Sequence, residues 1–111
     1  MEIINEKTSQ VFTAEFYDQN GTSINPETAY YSLHDSPSGQ AIIDTVFLPL
    51  PIPQVVEIEI SREDNRILDS GKLEETRVLT VEFDYRNSKG ELESGAPVEF
   101  TYNILNLPYV K

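Results

Sequence analysis

Residues 74–104 read EETRVLTVEFDYRNSKGELESGAPVEFTYNI, and their side-chain pattern decides the fold class. In the first part Arg77, Leu79, Val81, Phe83 and Tyr85 take one set of alternate positions, and Thr76, Val78, Thr80, Glu82 and Asp84 take the other. In the last part Val98, Phe100, Tyr102 and Ile104 alternate with Glu99, Thr101 and Asn103. Successive side chains of a strand point to opposite faces, so period-2 alternation of this length marks half-buried antiparallel strands. The clusters Asn87-Ser88-Lys89-Gly90 and Ser94-Gly95-Ala96-Pro97 are turns, with Glu91-Leu92-Glu93 between them as a short paired segment.

The same pattern extends upstream. Gln10 to Asp18 is a strand with Phe12, Ala14 and Phe16 on one face and Val11, Thr13, Glu15 and Tyr17 on the other. It ends at Asp18-Gln19-Asn20-Gly21, where Asn-Gly tolerates positive φ and signals a tight turn. Thr28 to His34 is the second strand, with Ala29, Tyr31 and Leu33 against Tyr30, Ser32 and His34, closed by the loop Ser36-Pro37-Ser38-Gly39. Gln40 to Phe47 is a third, less regular one. Leu48-Pro49-Leu50-Pro51-Ile52-Pro53 excludes a central strand, because alternate prolines remove ladder donors. An edge segment or a crossing between sheets is expected. The spacing of two does not fit a PxxP ligand. Val55 to Ile60 places Val56, Ile58 and Ile60 inward and Glu57 and Glu59 outward. Ser61, with Asp64 three residues on, reads as the cap of one short helical turn over 61–68 that folds Ile67 and Leu68 onto the core.

The expectation is an all-β, immunoglobulin-like antiparallel sandwich of about seven strands in one domain over 1–111. The hydrophobic fraction of 39%, with Tyr 6 and Phe 5, suffices for the slab between two sheets. Ile3 and Ile4, and Leu107, Tyr109 and Val110, are candidates for edge pairing within the chain or on a neighbour.

The formal net charge of −11 argues against binding to nucleic acid or to an anionic membrane, which both need cations. Its bland reading is a solvated acidic surface; the sharper one is an acidic face that docks on a basic partner. The absence of cysteine removes disulfides, thiolate metal sites and cysteine nucleophiles. Met1–Lys7 lacks the regions of a secretory signal, and no apolar run approaches the ~20 residues that span a bilayer. A complete, soluble chain, not exported by the standard route, is expected.

Candidate chemistry is sparse. His34 is the single histidine; Asp35 and Ser36 adjoin it, but neighbouring strand residues point apart and form no dyad. Glu57 and Glu59 share a face about 7 Å apart, inside the range of an inverting glycosidase, yet alternating acids are first a solvent face. The oxygen-rich loops Asp18–Gly21 and Glu63-Asp64-Asn65 with Asp69 do not match the EF-hand pattern. No catalytic, cofactor or metal residues are assigned, and no enzyme is expected. The candidate protein-contact residues are Tyr30, Ser32, Val78, Thr80, Tyr109 and Val110, with Val11 beside Tyr17 as a further outward pair.

Four segments carry a resemblance: Phe12–Gly21, Ala29–Asp35, Glu75–Phe83 and Phe100–Leu107. A first strand with an Asn-Gly turn, a tyrosine-rich second strand and a final tyrosine-containing strand ending near Asn-Leu resemble small immunoglobulin-like accessory structural proteins of tailed bacteriophages. The proline run 49–53 departs from that pattern. The resemblance implies a virion protein assembled in the host cytoplasm. It would be an auxiliary or decoration protein bound to the major capsid protein, or else a neck or tail component. Its partners would be virion proteins, with self-association among the options. The alternative is a carbohydrate- or cell-surface-binding module stacking sugars on Tyr30, Tyr31 and Tyr109.

Overall fold

The computed structural model describes residues 2–36, 38–69 and 71–106. Eight strands follow in chain order: β1 (Glu2–Asn5), β2 (Gln10–Glu15), β3 (Thr28–Ser36), β4 (Ala41–Phe47), β5 (Val55–Ile60), β6 (Glu74–Arg86), β7 (Leu92–Ser94) and β8 (Val98–Leu105). They form a large sheet in the order β1-β8-β6-β3-β4, with β7 also on β6, and a two-stranded sheet β2-β5. The sheets pack as an all-β sandwich, and no helix is present among the described residues.

β6 is the axis of the large sheet, because 13 residues of strict alternation give it partners on both sides. Leu79, Val81, Phe83 and Tyr85 are buried, while Thr76, Val78, Thr80, Glu82 and Asp84 are half-exposed. The inward residues of β2 and β5, Phe12, Ala14, Ile58 and Ile60, close the core from the other side together with Phe16 just past β2. Aromatic rings join the layers: Phe12 lies 5.1 Å from both Phe100 and Tyr102, and Phe16 lies 4.8 Å from Phe83. Such tilted pairs stabilise beyond their buried area.

Several details differ from the sequence reading. The short paired segment and the N-terminal pairing are both strands, which raises the count to eight; β1 runs parallel to β8 within the chain. β2 ends at Glu15, and Tyr17 makes only an isolated bridge to Ser23. β3 continues through His34 and Asp35 to Ser36, because β6 is long enough to pair with all nine of its residues. The segment after Ser61 is a hydrogen-bonded turn rather than a helix. The Asn65 amide donates to the Ser61 carbonyl (3.2 Å), the Ser61 hydroxyl accepts from the Asp64 amide (3.3 Å), and Ile67 packs on the core. The proline run carries the chain from β4 in the large sheet to β5 in the small one, burying Ile52 on the way. Leu107, Tyr109 and Val110 lie outside the described residues.

Tyr102 anchors that turn to the sheet. Its hydroxyl donates to Asn65 Oδ1 (2.7 Å), and Asn65 Nδ2 donates to the Thr8 carbonyl (2.7 Å). Tyr102→Phe leaves a buried amide oxygen without this donor. The expected loss is about 1–3 kcal/mol, read as a lower urea midpoint at unchanged slope.

Candidate functional site

Among the described residues the small sheet packs on one face of the large sheet and leaves its outer face uncovered. Residues on even positions of β6 point there, and the registers of β3 and β8 set what stands beside each one. Ser32 is opposite Thr80, which is opposite Glu99; His34 is opposite Val78, which is opposite Thr101; Tyr30 is opposite Glu82. The four candidate contact residues Tyr30, Ser32, Val78 and Thr80 thus form one contiguous patch on two neighbouring strands. Tyr109 and Val110, the other two, fall outside the described residues. Val11 and Tyr17 are exposed on the opposite side of the molecule, outside the small sheet, so they belong to a separate surface.

Sequence reasoning missed the neighbours of this patch. Phe47 lies across from Tyr30 on β4, 69% exposed, with ring centroids 5.3 Å apart. The signal for it was blurred because β4 slips register against β3 between Tyr31 and Leu33 and again between Leu33 and His34. Such bulges destroy simple alternation. Glu82 was legible, since it shares the parity of Val78 and Thr80. Hydrogen bonding to the Glu82 carboxylate raises the pKa of the Tyr30 hydroxyl, with burial and the charges of Glu82 and Asp84 adding to the shift. Asp84 accepts from Ser94 Oγ (2.9 Å) and Thr28 Oγ1 (3.3 Å).

The second concentration of polar groups is internal. Arg77 has no exposed surface; its Nη1 donates to Asp35 Oδ1 (2.6 Å) and its Nη2 to Glu75 Oε1 (2.7 Å). It also donates to the carbonyls of Thr76 (3.2 Å) and Arg66 (3.1 Å). Nε is the one buried side-chain polar atom without a hydrogen-bond partner among the described residues. Glu75 accepts from the amides of Leu68 (2.7 Å) and Asp69 (2.9 Å), and Asp35 from Ser38 Oγ (2.6 Å). Burial alone would raise the Glu75 pKa. The hydrogen bonds from Arg77, Leu68 and Asp69, with the Arg77 charge, outweigh burial and hold it below the ordinary glutamate value. Every carboxylate oxygen of the trio is engaged, so it ties Arg66, Leu68, Asp69 and Ser38 to the sheet rather than offering a free group to a substrate.

At the opposite end, a cleft of about 360 Å³ lies between the Asp18–Gly21 turn and the β6–β7 connection. Its central carboxylate, Glu93, accepts from Asn87 Nδ2 (2.8 Å), the Tyr85 hydroxyl (2.9 Å) and Gln19 Nε2 (3.2 Å). The Asn87 and Tyr85 bonds hold its pKa below the usual value, while burial and the Glu93 bond push Tyr85 up. Some oxygens of the acidic loops are already engaged. Asp18 Oδ1 accepts from the amides of Asn20 and Thr22, Asp69 Oδ1 from Gly71, and Asn65 is buried in the Tyr102 network. Among the described residues no group of three or more acidic or histidine side chains is arranged for a metal ion.

The remaining candidates do not converge. Asp35 points into the core to Arg77 while its neighbour His34 points outward beside Val78, so the His34-Asp35-Ser36 trio is not assembled. Glu57 and Glu59 are exposed on the small sheet, opposite Thr13 and Val11. Tyr30 and Tyr31 stand on opposite faces of β3, Tyr31 against the core, and give no shared stacking platform; Tyr109 is outside the described residues. Compared with known proteins, the chain matches no family model, no curated protein and no solved structure.

Proposed function

We propose that this protein is a non-enzymatic binding module that attaches to a protein partner through the outer face of its large sheet. Its role would be that of an auxiliary structural component of a tailed-phage virion, bound to the capsid surface. The observation that carries the reading is the contiguous patch of Tyr30, Ser32, Val78 and Thr80, extended by Phe47, on a sheet whose other face alone is used for the core. Half-exposed tyrosine and β-branched side chains beside a largely exposed phenylalanine suit a protein contact better than a solvent face. The engaged carboxylates of Asp35, Glu75 and Glu93 support a non-catalytic reading.

The immunoglobulin-like relationship is part of the same proposal. Its support is the strand pairing: β2 with β5 in one sheet, and β8-β6-β3-β4 in the other. That is how the B and E strands, and the G, F, C and C′ strands, are divided in a variable-type immunoglobulin sandwich.

Mass spectrometry of purified particles from the parent source tests the role. Hundreds of copies, counted against the main shell protein, are the expected result for a capsid-surface component. A dozen or fewer would move it to the neck or tail, and complete absence would overturn the virion reading.

A further inference from the structure

We propose that the outer face of the large sheet, around Tyr30, Phe47, Glu82, Asp84 and Glu99, docks an extended, lysine- or arginine-bearing segment of its protein partner. The inference rests on the reading above and names the chemistry of the partner.

Three acidic side chains face outward together. Glu82 and Asp84 follow each other on the same face of β6, and Glu99 stands on β8 opposite Thr80, next to Glu82. On the other side of Glu82 lie Tyr30 and then Phe47, whose rings form a tilted pair. Carboxylates beside aromatic faces are what an ammonium or guanidinium group prefers, through charge-assisted hydrogen bonds and cation–π attraction.

The sheet is also open at this point. β7 ends at Ser94 and β8 begins at Val98, with Gly95 between them packed closely on the Phe83 ring. The gap leaves a cleft of about 320 Å³ lined by Tyr30, Glu82, Asp84, Ser94, Gly95 and Pro97. A side chain can therefore enter beside two carboxylates instead of lying flat on the sheet. Alternate residues of an extended segment are about 7 Å apart, matching the spacing of Glu82 and Asp84 along β6.

Charge selects the occupant. Among the described residues the strands of this face present one arginine outward, Arg86, which sits at the end of β6 and pairs with Glu27 (3.7 Å). Within a chain of net charge −11, the centre of the patch is therefore acidic and unbalanced. A second copy would bring the same sign of charge against it. Strand addition at the β4 edge is hindered by the two register slips of that strand, which bend its edge.

The small sheet supplies an internal control. Its outer face also carries three acids, Glu15, Glu57 and Glu59, but it is only two strands wide.

The probe is a twelve-residue peptide of alternating lysine and threonine, titrated into the isotope-labelled protein and followed by amide shifts. Shifts centred on residues 28–32, 47, 80–84 and 94–99 are expected. Phe47→Ala, and separately Glu82→Gln with Glu99→Gln, should each weaken binding at least fivefold, while Glu57→Gln with Glu59→Gln changes it less than twofold. Phe47 and Glu99 are exposed, and an unchanged melting temperature verifies that the variants fold. No binding, shifts spread over both sheets, or equal weakening by the Glu57 and Glu59 changes would each overturn the proposal. If it fails while the protein remains abundant on particles, the docking chemistry is wrong and the structural role stands; loss from particles fails the role itself.

Discussion

Replacing Arg77 with methionine is expected to destabilise the fold by about 3–5 kcal/mol, the range for removing one partner of a buried ion cluster. The reason lies in what remains. Glu75 and Asp35 keep side chains only 2% and 7% exposed and lose the guanidinium that offsets their desolvation. Equilibrium unfolding in urea measures the loss. Asp35→Leu alongside Arg77→Met should recover part of the stability, because it removes one stranded charge. Full recovery is not expected from changing Glu75 as well, since that carboxylate also accepts the amides of Leu68 and Asp69. Retained stability in Arg77→Met would show that the cluster is dispensable.

The same cluster sets an acid limit. The folded Glu75 pKa lies below its ordinary value of about 4.3, so its stabilising contribution is fully present above that value. It is lost as pH falls through the lower, folded-state pKa. The wild-type protein should therefore weaken as pH drops below about 4, and Glu75→Gln should show a shallower slope there than wild type. Identical slopes would contradict this assignment.

Gly95→Val is the second large effect. A Cβ at this position would stand 2.0 Å from Phe83 Cζ and 2.2 Å from Cε2. The ring cannot retreat, being buried between Phe16 at 4.8 Å and Tyr85 at 6.2 Å. Nor can the backbone move freely, because the Gly95 amide donates to the Phe83 carbonyl (2.9 Å). Overpacking of this kind costs about 1–3 kcal/mol, and the upper end is expected where both ring and backbone are held. Gly95→Ala should lose less, and Phe83→Leu in that background should restore part of the loss. A double-mutant cycle isolates the contact; simple additivity would refute it.

Much of the fold was legible because alternation is local. The two face sets of β2, β6 and β8 could be read residue by residue, and on β5 also their direction, with Val56, Ile58 and Ile60 inward and Glu57 and Glu59 outward. The cap-like spacing of Ser61 and Asp64 marked a turn that the structure makes. Arg77 was grouped with Leu79, Val81, Phe83 and Tyr85 by the same parity, but nothing near it in the chain announced a partner. Asp35 comes from β3, 42 positions away, and Glu75 from the same face of β6. Four of the five patch residues, Tyr30, Ser32, Val78 and Thr80, were named from parity alone. Its extension to Phe47 needed the pairing of β3 with β4, and the cleft beside Glu82 needed the break between β7 and β8.

The amino-acid sequence by itself determined the class of this protein, all-β, and how the residues of each regular strand divide between its two faces; which of the two is buried came from the packing of the sheets. Side-chain parity is a property of the extended backbone and requires no knowledge of the neighbour. Only the tertiary structure decided which strands are neighbours, that β1 lies parallel on β8, that Asp35 and Arg77 meet in the interior, and that acids and aromatic rings share one open face. Those facts depend on register between distant segments, where a shift of one residue would exchange the buried and exposed faces.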